Sequence, residues 1–228
     1  MKISTEFSKY AIEYNNYNVI QNRVIEHLLS KITTKPQAIL DLGCGSGSLC
    51  KHIDWEYEHF IGVDFAYKML ELHPKSPKIQ TIYGDFNDEK LFEELDAYKF
   101  DVVFSASALQ WANNLEEVFK HIKKLGAPVA LAIFASDTFK TLNETASISS
   151  ILKSSNYIKD LSNRYFDAEV EIVNYKLEFE STRDIFRYIK KSGVSGARRI
   201  LSYKESKKLL IEYPLSYLEF EVVFIYTR

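Results

Sequence analysis

Three glycines at alternate positions, Gly43, Gly45 and Gly47, follow an aspartate at the end of an apolar run in AILDLGCGSGSLCKHI, residues 38–53. Without a Cβ, glycine permits a tight turn and lets a ligand touch the backbone. The dinucleotide fingerprint G-x-G-x-x-G would need glycine at position 48, which is Ser48. The pattern is instead Asp-x-Gly-x-Gly-x-Gly, with Asp41 closing the run. An acid at that edge suits a ligand carrying positive charge better than a bare pyrophosphate. The same glycines would also serve a sharp turn that binds nothing. Two further acids extend the pattern. Asp64 ends a second apolar run, where a carboxylate can accept two hydrogen bonds from ribose hydroxyls. Asp85 follows a third run in YGDF and can accept from an adenine amino group while Phe86 lines the ring. Either acid alone is equally suited to cap a helix or a turn. Together they fall beyond the carboxyl ends of neighbouring predicted strands, where open α/β sheets bind ligands.

The elements that must hold these residues are legible as rhythm. Apolar runs at 37–42, 58–64, 78–84, 99–106 and 128–135 read as buried strands. Between them lie helical stretches at 48–52, 67–72, 88–95 and 115–125. Strand alternating with helix predicts a parallel sheet covered on both faces. Ahead of it, residues 17–32 place Ile20, Val24, Ile25, Leu28, Leu29 and Ile32 at helical spacing, and Pro36 ends the segment. After Phe134 the pattern changes. The expectation is a helical region over 138–161, a half-exposed strand over 168–181, helices over 182–193 and 204–213, and a closing strand over 215–228.

Length and composition bound the function. The chain has 228 residues, 46% of them hydrophobic, which fits one domain with a full core. Its net charge of -2 argues against general binding of polyanions. The opening MKISTEFSKYAIEYNNYN lacks the apolar core of a secretory signal, and no apolar run nears the ~20 residues of a membrane helix. Cys44 and Cys50 read as free thiols of a reducing, cytoplasmic compartment. The five histidines are scattered, so no metal site is expected.

LDLGCGSG, then GVDFAYKML, then GDF, then FDVVFSASALQW resembles the class I S-adenosylmethionine-dependent methyltransferases. The resemblance covers roughly residues 36–135. It implies a Rossmann-like, doubly wound seven-stranded sheet, mostly parallel, with an antiparallel last strand and helices on both faces. The implied organisation is a single domain over 1–228: an N-terminal helical lid (1–35), a cofactor core (36–135), and C-terminal helices and closing strands (136–228). The implied cofactor is S-adenosyl-L-methionine, held by Asp41, Gly43, Cys44, Gly45, Gly47, Asp64, Phe65, Met69, Asp85, Phe86, Ser105 and Ala106. Gly43 to Gly47 would pass under its methionine part, Asp64 would hold the ribose, and Asp85 with Phe86 the adenine. Ser105 and Ala106 would lie near the amino-acid moiety.

Three more stretches narrow the resemblance: residues 7–24, residues 107–144, and residues 186–199 followed by 203–214. Together they are similar to the malonyl-acyl-carrier-protein O-methyltransferases of biotin biosynthesis. ALQW is the sharpest piece, although trans-aconitate methyltransferases carry a similar Gln-Trp. KKLGAPV stands where such families usually have Lys-Pro-Gly-Gly, which alters a turn. The implied reaction is methyl transfer to the free carboxylate of a malonyl thioester. That carboxylate is ionised at neutral pH, with a pKa near about 4, so no general base is needed. The site must align the reacting atoms, exclude water and orient the carboxylate.

Candidates for the orienting group are Tyr10 and Tyr14, with Tyr17 beside them, and Arg23, whose planar fork matches a carboxylate. The tyrosines are as well suited to core packing, and Arg23 to reaching solvent or binding the cofactor's own carboxylate. Gln110 and Trp111, after the fourth strand, are expected to wall the substrate pocket or plug a turn. Residues 183–208 carry nine basic side chains, Arg198 and Arg199 among them, against two acidic ones. That excess suits docking of an acidic acyl carrier protein, or equally a solvated helix face. No motif favours nucleic acid. Two rival readings stay open: a methyltransferase of a free small carboxylic acid such as trans-aconitate, and a non-catalytic cofactor-binding partner protein.

Overall fold

The computed structural model describes residues 18–191 and 209–227. Its elements run α1 (Val19–Ser30), β1 (Ala38–Leu42), α2 (Ser48–His52), β2 (His59–Asp64), α3 (Tyr67–Leu72), β3 (Ile79–Tyr83), α4 (Glu89–Leu95) and β4 (Val102–Ala106). A 3-10 turn (Leu109–Trp111) follows, then α5 (Leu115–Lys124), β5 (Val129–Phe134), α6 (Lys140–Thr145), α7 (Ser155–Tyr165), β6 (Glu169–Glu178), α8 (Thr182–Lys191) and β7 (Tyr217–Tyr226).

The strands form one seven-stranded sheet in the order β3-β2-β1-β4-β5-β7-β6. The first five are parallel, and β7 runs antiparallel to both β5 and β6. Chain order reverses beside β1, which pairs with β2 on one side and β4 on the other. A crevice opens at the carboxyl ends where neighbouring strands diverge in this way.

Period-two alternation sends successive side chains to opposite faces. Leu40, Leu42, Leu131, Ile133, Val223 and Ile225 join one core, with Leu91 and Phe92 of α4, Val118 and Ile122 of α5, and Ile158 and Leu161 of α7. Ile39, Phe60, Phe104, Ala130, Ala132 and Phe224 join the other, with Ile20, Val24, Ile25 and Leu28 of α1, Leu49 of α2, and Ile185 of α8. Helix α1 is therefore a structural layer, its Ile20, Val24 and Leu28 fully buried. Strand β6 lies at the sheet edge and alternates between half-buried and exposed positions from Val173 onward, as its sequence predicts.

Two stretches differ from the sequence reading. The strand expected over 99–106 begins only at Val102, because the Asp101 carboxylate accepts hydrogen bonds from Gln37 N (2.8 Å) and Ala38 N (2.9 Å). The helical region expected over 138–161 is two helices. Ser147 takes a left-handed φ of 53° after α6, and Ser154 caps α7 by accepting from Tyr157 N. Serines that hydrogen-bond locally compete with a continuous helix in this way. A similar cap starts α5, where Asn114 Oδ1 accepts from Glu116 N at 3.1 Å and Glu117 N at 3.4 Å. Asn114→Ala is expected to lower stability by about 1 kcal/mol, read as a shifted urea midpoint with unchanged slope.

Candidate cofactor site

The carboxyl ends of β1, β2 and β4 surround a cavity enclosing about 710 Å3 of free space, its open mouth included. The floor is the glycine turn. Gly43, Gly45 and Gly47 all have positive φ, at 78°, 54° and 78°. The N–H groups of Gly43 and Cys44 both donate to Val63 O, at 2.8 and 3.0 Å, which clamps the turn to β2. The three glycines serve different ends. A Cβ on Gly43 would lie 2.2 Å from Ala108 Cβ, and one on Gly47 would lie 2.4 Å from Pro74 Cδ. A Cβ on Gly45 would meet no protein atom within 4 Å. Glycine at 43 and 47 is thus demanded by packing as well as by φ. Above Gly45 the space is open.

Asp64 lies across the turn. Its Oδ2 accepts from Gly45 N at 2.9 Å and its Oδ1 from Ala66 N at 2.8 Å. Burial pushes its pKa up to about 6, against the pull of the backbone N–H groups of Ala66, Gly45 and Phe65. Asp41 is 2% exposed, and burial, reinforced by the charge of Asp64, pushes its pKa up to about 8. Among the described residues no hydrogen bond reaches the Asp41 carboxylate. The Cys44 thiol is held well above its ordinary pKa by burial and is no nucleophile at neutral pH.

Of the residues expected at the cofactor, Asp41, Gly43, Cys44, Gly45, Asp64, Phe65, Met69, Phe86 and Ala106 line this cavity, as does Trp111 from the substrate set. Five others stand elsewhere, three from the cofactor set and two from the substrate set. Gly47 backs onto His73 and Pro74. Ser105 is fully buried and donates from Oγ to Leu42 O at 2.6 Å, serving a carbonyl left over where β1 and β4 part. Asp85 is exposed and off the lining, its Oδ1 engaged by Asn87 N (2.9 Å) and Asn87 Nδ2 (2.7 Å). Gln110 donates to Ser107 O at 2.6 Å and lines a second, smaller cavity with Leu109, Leu115, Ile133, Phe134, Ile151 and Lys153. Adjacent residues of a 3-10 turn point about 120° apart, so Gln110 and Trp111 do not share a wall. Arg23 donates to Lys176 O on the edge strand at 3.3 Å and is not among the residues lining the cavity. Tyr10, Tyr14, Tyr17, Arg198 and Arg199 lie outside the described residues.

The sequence reading missed Gln21, Ile25, Ser46, Ser48, Leu49, Ser107 and Ala108, all of which line the cavity. One signal was available in the sequence, and a second appears only in the backbone. Gln21 sits four residues before Ile25 and seven before Leu28, a polar residue on the apolar stripe of α1. Ser107 follows β4 directly and takes a φ of 64°, strain of the kind that concentrates at working sites. Asn18, 6% exposed, donates to Ser48 Oγ at 3.4 Å and joins the start of α1 to the start of α2 beside the cavity.

Comparison with known proteins supplies the family. Residues 40–134 match the family described as "Methyltransferase domain". A malonyl-[acyl-carrier protein] O-methyltransferase of Brevibacillus brevis is 24% identical over 98% of this chain and 94% of that protein. A protein of the same description from a Methylovorus species is 25% identical over 86% of this chain and 74% of its own length. Among solved structures, a phosphoethanolamine N-methyltransferase of Haemonchus contortus in complex with S-adenosyl-L-methionine superposes with a TM-score of 0.59. It is 15% identical, and the match covers 97% of this chain and 57% of that one. The sheet order, the glycine turn at the reversal point and these matches agree: the chain is an S-adenosylmethionine-dependent methyltransferase whose residues 40–134 match the methyltransferase-domain family.

Proposed function

We propose that this methyltransferase esterifies the free carboxylate of a malonyl group carried on an acyl carrier protein, a step of biotin biosynthesis. The observation that carries this reading is similarity over nearly the whole chain, 98% of it, to a relative described by that activity. The cavity is in keeping with it. S-adenosylmethionine would supply an electrophilic methyl group on a sulfonium. Asp64 would accept from the ribose hydroxyls, Phe86 would line the adenine, and the turn from Gly43 to Gly45 would underlie the amino-acid end. Asp41 would offer negative charge to a cationic ligand.

The chain's own part in the chemistry is modest. A malonyl carboxylate is already ionised, and no histidine lines the cavity. Attack of a carboxylate on a sulfonium neutralises charge, so an apolar enclosure favours the transition state over the separated ions. Ile25, Leu49, Phe65, Met69, Phe86, Ala108 and Trp111 provide such walls. Trp111 is assigned to the acceptor side, and the basic stretch with Arg198 and Arg199 to docking of the acidic carrier.

The test is mass spectrometry of malonyl-acyl carrier protein after incubation with enzyme and S-adenosylmethionine. A gain of one methyl group, absent from unloaded carrier, is expected. Methylation of free trans-aconitate with none on the carrier would move the assignment to the free-acid class. Cofactor bound with no S-adenosylhomocysteine formed from any acceptor would mark a non-catalytic partner.

A further inference from the structure

The side chain that contacts the amino-acid end of the cofactor remains to be assigned. Four observations bear on it. First, Gln21 is only 7% exposed, yet it lines the cavity, and its Oε1 is buried with no hydrogen-bond partner. Leaving a buried acceptor unserved costs about 1–3 kcal/mol, so such atoms in folded proteins call for an explanation.

Second, Gln21 shares a side of the sheet with the acids of the site. Ile39 points into the core beneath α1, and Asp41, two residues on, points to the same face. Phe60 and Asp64 stand in the same relation on β2. Third, of these acceptors Asp64 is already served by Gly45 N and Ala66 N. Among the described residues, Asp41 and Gln21 Oε1 have no protein donor. Both line the same cavity, so a ligand group satisfying both must bring several N–H or O–H donors, and one of its hosts is a carboxylate.

Fourth, α1 has no freedom to place a different residue there. Ile20, Val24, Ile25 and Leu28 fix its rotation through their burial. Arg23 lies two residues on, about 200° around the axis, and reaches the edge strand instead.

We propose that Gln21 positions the amino-acid end of S-adenosylmethionine, its Oε1 accepting from the ammonium group alongside Asp41. The ammonium has three donors and suits two acceptors at once. The same amide carries Nε2 donors suited to the neighbouring α-carboxylate, so one side chain addresses both ends of the zwitterion. The inference rests on this cavity being the cofactor site, and adds a contact from α1 that the glycine motif does not contain.

The test is titration calorimetry of the whole protein with two ligands. S-adenosylhomocysteine carries the amino-acid end, and 5′-methylthioadenosine has the same nucleoside thioether without it. Gln21→Met, which keeps volume and removes both polar atoms, is expected to weaken S-adenosylhomocysteine at least tenfold and 5′-methylthioadenosine less than twofold. Gln21→Asn, which withdraws the amide by one methylene, is expected to fall between, and serves alone should the Met variant not fold. Equal losses on both ligands would make Gln21 a packing residue and overturn the proposal, as would undiminished S-adenosylhomocysteine binding. Failure of the parent protein to bind S-adenosylhomocysteine would instead remove the cofactor site itself, and the inference with it.

Discussion

Asp41→Asn is expected to raise the melting temperature of the ligand-free protein at pH 8 while weakening its hold on S-adenosylhomocysteine at least tenfold. Both effects follow from one buried carboxyl group. In the unfolded chain Asp41 titrates near about 3.9. In the folded protein, burial and the neighbouring Asp64 push it up to about 8. Between those values the native state holds a proton that the unfolded state has released. The resulting stability is complete below pH ~4 and declines as pH rises toward 8, at up to about 1.4 kcal/mol per pH unit for a single proton. Asp64, raised to about 6, adds to the slope in the lower half of that window. An asparagine has no proton to lose, so above pH ~6 the variant's stability should be flat where the parent's falls. It also has no charge to offer a cationic ligand. Thermal melts from pH 5 to 8.5, with and without S-adenosylhomocysteine, read both effects. Parallel pH profiles for parent and variant would show that Asp41 ionises normally. The parent should also release protons when it binds ligand near neutral pH, seen as a calorimetric heat that depends on the buffer's ionisation enthalpy.

Gly43→Ala should be strongly destabilising, and Gly45→Ala, two residues away, should separate stability from binding. At position 43 the new Cβ falls 2.2 Å from Ala108 Cβ, in a backbone with φ of 78°. Left-handed backbone at a residue with a side chain costs about 1–2 kcal/mol, and overpacking a filled site another 1–3. Loss of roughly 2–5 kcal/mol is expected, enough to unfold many domains. The double variant Gly43→Ala, Ala108→Gly tests the cause. The next contacts, Ala108 Cα at 3.7 Å and Phe86 Cε1 at 3.9 Å, are ordinary, so only the backbone cost should remain. At position 45 the methyl meets no protein atom, and the cost should be the backbone term alone. Its methyl would instead occupy space above the turn, and S-adenosylhomocysteine affinity should fall at least tenfold. Chemical denaturation and calorimetry on the three variants separate the two roles. Unchanged stability of Gly43→Ala, or full binding by Gly45→Ala, would refute the division.

Much of this fold is legible in the sequence because the central parallel strands, buried on both faces, read as apolar runs closed by a polar or glycine residue, whereas the edge strand β3 leaves Gln80 and Tyr83 exposed. α2 and α3 fall where their spacing places them, at Ser48–His52 and Tyr67–Leu72. What local pattern does not carry is side-chain competition. The early part of the fourth apolar run is lost to a turn because Asp101 finds the backbone of residues 37 and 38. The serine-rich stretch between α6 and α7 likewise turns inward on itself. The same limit applies at the site. Asp85 has the type and spacing of a ligand contact, but it stands exposed off the cavity lining, with Asn87 holding its Oδ1. Arg23 has the chemistry to hold a carboxylate, but helix periodicity turns it away and brings Gln21 in. Residue type marks what a position is able to do. The face of the helix decides whether it gets the chance.

Gly62 lies in the middle of β2, paired in register with Asp41, and a Cβ there would sit 2.9 Å from Cys44 Sγ and 3.2 Å from His73 Nε2. These three positions form one steric unit behind the glycine turn. In the divergence of this lineage, any side chain gained at 62 must be matched by volume lost at 44 or 73. A glycine kept at 62 across relatives would then record the room needed behind the turn, and an observer who read its persistence as ligand contact would be looking at the wrong side of the wall.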